Sequence, residues 1–337
     1  MTIPLRIDIA AHILPPKYKD AFIEAGKLDA ARRERIESLP TVHDINARLQ
    51  LMDQYEGYVQ VLTVNYPPLE LIGDPKKSVY LAKLANDELA ELVIKHPHKF
   101  VGAVACLPMD DMEETLVEID RAIKDLKLKG VQLYTPVVEK PVDSPEFMPI
   151  YEKMAYYNLP IWLHPKRGKD YPDYRSETRS MYDMYHCLAW PYETSVAMVR
   201  FVFSGILEKY PNLKIITHHC GGMIPYFEKR ILGFCGQEER RLGEEYKATL
   251  TRPVLDYFKM FYNDTALYGE CTNSLMCAYN FCSADHLLFG TDMPHDNQFG
   301  SGLIRDTLNS VEKMDISEDD KKKIFADNAR RMLRLLI

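Results

Sequence analysis

Short apolar runs recur along the chain, each closed by turn residues and followed by a longer stretch with apolar positions three and four residues apart. Alternation of strand-like and helix-like patterning predicts parallel strands joined by crossover helices. The runs Leu5–Ala10, Tyr58–Val64, Phe100–Cys106, Gly130–Tyr134, Pro160–His164, Leu213–His218, Met260–Asn263 and His286–Gly290 are the predicted strands. The intervening patterns predict helices over Asp44–Gln54, Lys76–His96, Met112–Leu126, Glu146–Tyr157, Thr194–Lys209 and Glu318–Leu335. Eight such units fit a closed (β/α)8 TIM barrel, an α/β fold of roughly 250 or more residues. Three stretches exceed ordinary connections: Ile13–Val42, Pro165–Tyr192 and Ile224–Asp256. These long loops follow strands 1, 5 and 6, on the face where barrel enzymes carry their chemistry. There is no internal repeat, low-complexity tract or Gly/Ser/Pro-rich linker, so one barrel domain over 1–337 is expected.

Composition narrows the partners. The chain carries a formal charge of -7, which argues against nucleic acid, whose binding relies on clustered Lys and Arg. No uncharged apolar run reaches the ~20 residues a bilayer span requires, and the first residues lack a secretory-signal pattern, so no membrane contact and a cytoplasmic location are expected. The seven cysteines have neither zinc-like spacing nor a disulfide framework, and are expected to be reduced, mostly core residues.

Candidate chemistry falls at the ends of separate strands: Asp8 and His12 at the first, His164 at the fifth, His218 and His219 at the sixth, Asp292 at the eighth. On a barrel those ends converge on one cavity, and mixed imidazole and carboxylate ligands suit Zn, Mn or Fe. Singly, a strand-end histidine is usually a hydrogen-bonded structural residue, and Asp292 has the turn or helix cap as its alternative. Their joint placement favours a divalent-metal site, with zinc first and Mn or Fe behind it. Neighbours along a strand point to opposite faces, so His218 and His219 share the cavity only with a local distortion. His295, Asp296 and Glu270 lie near the same mouth in sequence and leave a second metal conceivable.

Several segments resemble the amidohydrolase superfamily, and within it the branch of aminocarboxymuconate semialdehyde, resorcylate and carboxyvanillate decarboxylases. They are Ile7-Asp8-Ile9-Ala10-Ala11-His12, Leu159 to Pro165, Leu213 to Gly222, Leu288 to Pro294, Trp190 to Thr194 and Ile324 to Ala329. The resemblance implies a site in which His12, His164 and Asp292 hold the metal and His219 acts as an acid, base or substrate-orienting group. One departure stands out: the first-strand motif usually reads DxHxH, and position 10 is Ala10. Because some members use an acidic residue on that strand, Asp8 becomes a candidate ligand in its place.

The activity implied is non-oxidative decarboxylation of an aromatic or unsaturated carboxylic acid. Asp292 would protonate the carboxyl-bearing carbon while His219 orients the substrate. The same parts serve a metal-dependent hydrolase or a di-iron oxygenase, and the missing ligand at position 10 leaves open a non-catalytic partner subunit. The loop after the fifth strand interleaves Lys166, Arg167, Arg175 and Arg179 with Tyr171, Tyr174, Tyr182 and Trp190. Arginine forks and aromatic faces suit a small-molecule aromatic carboxylate, with Arg167 and Trp190 as the substrate-binding candidates, against the alternative of a solvated basic loop. Exposed aromatics there would also suit a homo-oligomer, or a hetero-oligomer with a related subunit.

Overall fold

In the computed structural model, residues 4–26, 30–65, 67–241 and 250–337 are described; the side chains of 31–32 and 235–241 are not, and Cys235 falls among these. Eight parallel strands form: β1 (Arg6–Ile13), β2 (Tyr58–Val64), β3 (Phe100–Ala103), β4 (Val131–Thr135), β5 (Ile161–Pro165), β6 (Ile215–Thr217), β7 (Tyr262–Asp264) and β8 (Leu287–Leu288). They pair as β1-β2-β3 and as β4-β5-β6-β7-β8. Two short seams join these sheets into a ring. Ala105 N donates to Gly130 O and Gln132 N to Ala105 O, both at 2.9 Å, between β3 and β4. Ile9 N to Phe289 O, Asp292 N to Ala10 O and His12 N to Met293 O, at 2.9–3.0 Å, close β8 onto β1. The barrel therefore has no open edge to cover.

All eight predicted strands form. The helix expected over Thr194–Lys209 begins at Trp190 and breaks at Gly205, whose φ of 76° interrupts the run into Trp190–Phe203 and Ile206–Lys209. The long loops carry helices that the apolar pattern did not reveal. Pro16–Glu24 and Ala30–Glu37 follow β1, and Glu228–Arg241 follows β6. The segment AARRERIE is charged almost throughout, so it offers no apolar stripe to read.

Alternation along the strands separates two apolar layers. Ile7, Ile9, Val59, Val61, Val104, Trp162, Ile216 and Leu288 pack together inside the ring, closed below by Ala329, Met332 and Leu333 of the last helix. Tyr58, Leu62, Leu133, Ile161, Leu163, Ile215 and Phe289 face the surrounding helices. Burying each such side chain contributes roughly 1.5–3 kcal/mol, and the inner layer makes a dry floor beneath the barrel's mouth.

β1 breaks the rule once. Asp8 pairs with Gln60 but Ala11 with Leu62, so β1 holds one residue more than β2 between these pairs, a β-bulge at Ile9–Ala10. Trp162 Nε1 reaches across the ring to bond Ile9 O at 2.9 Å. After the bulge the side-chain parity is inverted: Ala11 and Ile13 join the outer layer, and His12 turns inward.

Candidate metal centre

The strand ends deliver three imidazoles to one point. His12 from β1, His164 from β5 and His218 beyond β6 each offer a nitrogen, and these nitrogens lie within 4.8 Å of one another. All three residues are at most 2% exposed. His12 and His164 are hydrogen-bonded through Nδ1, and the His218 Nδ1 lies close to a carboxylate. For His12 the anchor is Thr63 Oγ1 at 3.0 Å, from the residue paired with it on β2. His164 Nδ1 donates to Pro165 O at 2.6 Å. His218 Nδ1 sits 3.0 Å from Asp264 Oδ2.

Electrostatics match. Burial, reinforced by His218, His12 and His219, holds His164 well below the ordinary imidazole pKa, and burial likewise lowers His218. Both rings are therefore neutral near pH 7, the form in which imidazole coordinates a cation. His12 Nε2 and His218 Nε2 are buried without a hydrogen-bond partner. Orphaned buried nitrogens of this kind carry a desolvation cost, and a cation between them removes it.

Asp292 stands at the rim. Its Oδ1 lies 3.0 Å from His12 Nε2 and its Oδ2 3.8 Å from His219 Nε2. Burial pushes its carboxyl pKa up, but His12 and His219 together outweigh that and hold it well below the ordinary carboxylate value. For His219 burial works downward, and the Asp292 carboxylate reverses the balance and raises its pKa. The pair is thus a carboxylate beside a readily protonated imidazole.

Both histidines after β6 line the cavity. His218 follows the strand's regular alternation inward, and the expected distortion comes next: His219 and Cys220 have φ of 57° and 56°. This left-handed turn, uncommon for residues with a Cβ, swings His219 back to the mouth. Asp264 Oδ1 secures it by accepting from Cys220 N at 3.0 Å, and from Ala266 N at the same distance. This turn is the local distortion that sharing the cavity requires.

Asp8, expected as a ligand, is not brought to the cluster. It precedes the bulge and so faces the helices. Oδ1 accepts from Ala10 N and Thr291 N at 3.0 and 3.1 Å, and Oδ2 from Tyr58 Oη and Thr291 Oγ1 at 2.5 and 2.6 Å. Two further candidates are also structural. Asp296 caps the turn before Ser301–Glu312 by accepting from Gln298 N, Gly300 N and Leu303 N, and Glu270 pairs with Lys313 on the surface. His295 stays near the cluster, its ring 5.6 Å from that of His12 and its Nε2 2.7 Å from Asn65 Oδ1.

Trp190 roofs the site. Its ring stacks on His219 (27°, 5.8 Å between centroids) and meets His164 edge-on at 5.3 Å, while Nε1 donates to Arg167 O at 2.7 Å. The Arg167 guanidinium extends over the Tyr171 ring at 5.7 Å and lines an open depression of about 270 Å³ with Met184, Leu188, Tyr192 and Met223. Sequence reading passed over Arg35. It sits in the last turn of Ala30–Glu37, and its charge adds to the burial that lowers His186 and His295. It brings a cation from the first long loop toward the mouth.

The amidohydrolase family matches residues 7–335. The chain belongs to that family. This amidohydrolase is 32% identical over 299 residues to the gamma-resorcylate decarboxylase of Polaromonas sp. strain JS666, covering 86% of each chain. It is 26% identical to the 2-amino-3-carboxymuconate-6-semialdehyde decarboxylase of Dictyostelium discoideum, over 98% of this chain and 92% of that one. Among solved structures, the Polaromonas dihydroxybenzoic acid decarboxylase with bound manganese and 2-nitroresorcinol superposes on the amidohydrolase with a TM-score of 0.76. The two are 28% identical, with 98% and 97% of the chains covered.

Proposed function

We propose that this amidohydrolase is a divalent-metal-dependent, non-oxidative decarboxylase of a hydroxylated aromatic carboxylic acid. The observation that carries the reading is the buried convergence of inward-turned imidazoles beside an ionised Asp292, in a chain whose relatives are decarboxylases. His12, His164 and Asp292 are the ligands we assign from the resemblance. Zinc is the ion proposed, because nitrogen-rich sets suit it, although the Polaromonas structure holds manganese. A bound divalent cation supplies positive charge that disperses the negative charge left on the ring as carbon dioxide departs. The converged imidazoles weigh against a degraded, non-catalytic subunit.

The remaining steps belong to the chain's own groups. Protonating the carboxyl-bearing carbon before C–C cleavage avoids a free carbanion, and Asp292 is the group at the rim placed to deliver that proton. Because it is held ionised, its proton has to come from a neighbour. His219, raised by the same carboxylate 3.8 Å away, is that store, and its ring also positions the substrate. Trp190 stacks on the aromatic ring and excludes water. Arg167 and Arg35 attract the substrate carboxylate into the mouth. The exposed Tyr174 and Tyr182 support assembly with a second copy or a related subunit through the loop after β5, which light scattering of the purified protein tests.

The test is incubation of the zinc- or manganese-loaded protein with 2,6-dihydroxybenzoate and related hydroxybenzoates. Carbon dioxide and the decarboxylated phenol should appear in equal amounts without oxygen consumption, and Asp292→Asn should lower kcat by at least about 100-fold, the scale of a positioned acid or base. Stoichiometric oxygen uptake, or full turnover by Asp292→Asn, refutes the assignment.

A further inference from the structure

The departure at position 10 has a structural counterpart on the far side of the barrel. Inside the mouth, the side chain at position 10 is a methyl group: a Cβ built on Gly290 would lie 3.0 Å from both Ala10 Cβ and Asp264 Cβ. Ala10 and Asp264 therefore flank Gly290 from two sides, and Ala10, part of the apolar inner layer, has no ligating atom of its own. Asp264 is fully buried and pinned by two backbone N–H groups on Oδ1, and its Oδ2 lies 3.0 Å from His218 Nδ1, a charge contact without hydrogen-bond alignment. His218 is itself fully buried, and its Nε2, on the opposite side of the ring, has no partner and points into the cluster with His12 and His164.

We infer that His218, braced by Asp264, is the ligand that takes over the place left by Ala10, so that coordination has moved from the first strand to the end of the sixth. This inference rests on the metal-dependent reading above and specifies its ligand set: three imidazoles with Asp292. Three features support it. The count is restored, because losing a first-strand ligand and gaining an inward imidazole leaves the number of donors unchanged. The geometry is prepared, because Asp264 fixes ring orientation, and a carboxylate behind a coordinating imidazole strengthens it as a donor. The turn at His219 and Cys220 keeps the neighbouring histidine at the rim while His218 stays inside. A third imidazole also shifts preference toward zinc or cobalt over the oxygen-seeking manganese.

The experiment measures metal binding, not turnover. Metal-stripped wild type, His218→Gln, Asp264→Asn, His164→Gln and Ala10→Glu/His218→Gln are titrated with Zn(II) against a chromophoric chelator. The Co(II) forms are compared by visible absorption and by X-ray absorption, which counts imidazoles around the metal. The expected results are three imidazoles in wild type and two in His218→Gln, with at least 100-fold weaker zinc binding. Asp264→Asn should bind 10- to 100-fold more weakly with three imidazoles retained. Adding Ala10→Glu to His218→Gln should recover at least tenfold of the loss. If His218→Gln, folded by circular dichroism, keeps wild-type affinity and imidazole count while His164→Gln loses zinc, the inference fails and the metal-dependent reading stands. If wild type itself binds no divalent ion, both fail.

Discussion

Removing the Asp8 carboxylate separates a structural from a metal-binding role for the first acidic residue of the chain. Its two oxygens accept four hydrogen bonds, from Ala10 N, Thr291 N, Thr291 Oγ1 and Tyr58 Oη, and so join β1 to the segment after β8. It also lies within electrostatic reach of a buried cation. Arg48 is fully buried, bonds Gln60 Oε1, His12 O and Thr41 O, and is pushed down to about 10 by burial despite the opposing pull of Tyr58 and Asp8. Asp8→Ala leaves four buried donors without an acceptor, each worth about 1–3 kcal/mol, and takes a negative charge out of the surroundings of Arg48. These terms overlap, and water entering the vacated space recovers part, so about 4 kcal/mol is expected. Asp8→Asn keeps Oδ1 for the two backbone donors and turns an amide toward two hydroxyls that can rotate, so about 2 kcal/mol is expected. Urea unfolding gives the stabilities, and elemental analysis of the folded variants gives the metal content. Both variants should retain wild-type zinc stoichiometry. A variant that keeps its stability within about 1 kcal/mol but loses its metal would place Asp8 in the coordination sphere and refute the reasoning.

Trp190→Phe keeps an aromatic roof but removes the bond to Arg167 O; KM for the aromatic acid should rise several-fold with kcat little changed, and an equal fall in kcat would show that the indole N–H acts in the reaction itself. Burial lowers His295 to about 3 and His186 to about 4, from an ordinary value of 6.5. Both are neutral in the folded protein and take up a proton on unfolding below pH 6.5. Stability is therefore fully present above pH 6.5 and falls as the pH drops toward 4 and 3, with His295 alone contributing roughly 2 kcal/mol of the loss at pH 5. Thermal unfolding of the metal-stripped protein at pH 7.5 and 5.0 measures this, and His295→Gln should flatten the dependence; an unchanged slope would overturn the assignment.

The fold was legible because period-two and period-3.6 patterns are long-range averages. All eight strands lie where apolar runs stop at turn residues, and a small shift of an end changes nothing in the ring. The loop helices were not legible. Among the described side chains of Ala30–Glu37 only Ile36 is buried, so its last-turn Arg35 gave no apolar signal of its position near the mouth. Trp190 was legible as an aromatic near His164 in sequence, whereas its stacking on His219 depends on how the helix begins.

The placement of the candidate side chains turns at two points on one fact: strand parity is a local count, and backbone irregularities reset it. Asp8 and His12 are four residues apart, so a regular strand puts them on the same face; one extra residue at Ile9–Ala10 sends them to opposite sides of the ring. His218 and His219 are adjacent, so a regular strand separates them; two left-handed residues bring both to the cavity. The bulge has no glycine, which removes the usual sequence marker there, whereas the turn runs on into Gly221 and Gly222, whose φ of 76° and 59° are also positive. What stabilises them is distant in sequence. Trp162 Nε1 occupies the carbonyl of Ile9, and Asp264 accepts from Cys220 N while facing His218. Both partners come from other strands, Trp162 from β5 and Asp264 from β7, so the bulge and the turn are properties of the closed ring. A motif spacing on one strand therefore places a side chain in the cavity only once the opposite strands are known, and in this chain the Asp8 carboxylate of β1 is bonded away from the cluster while the His218 imidazole beyond β6 joins it.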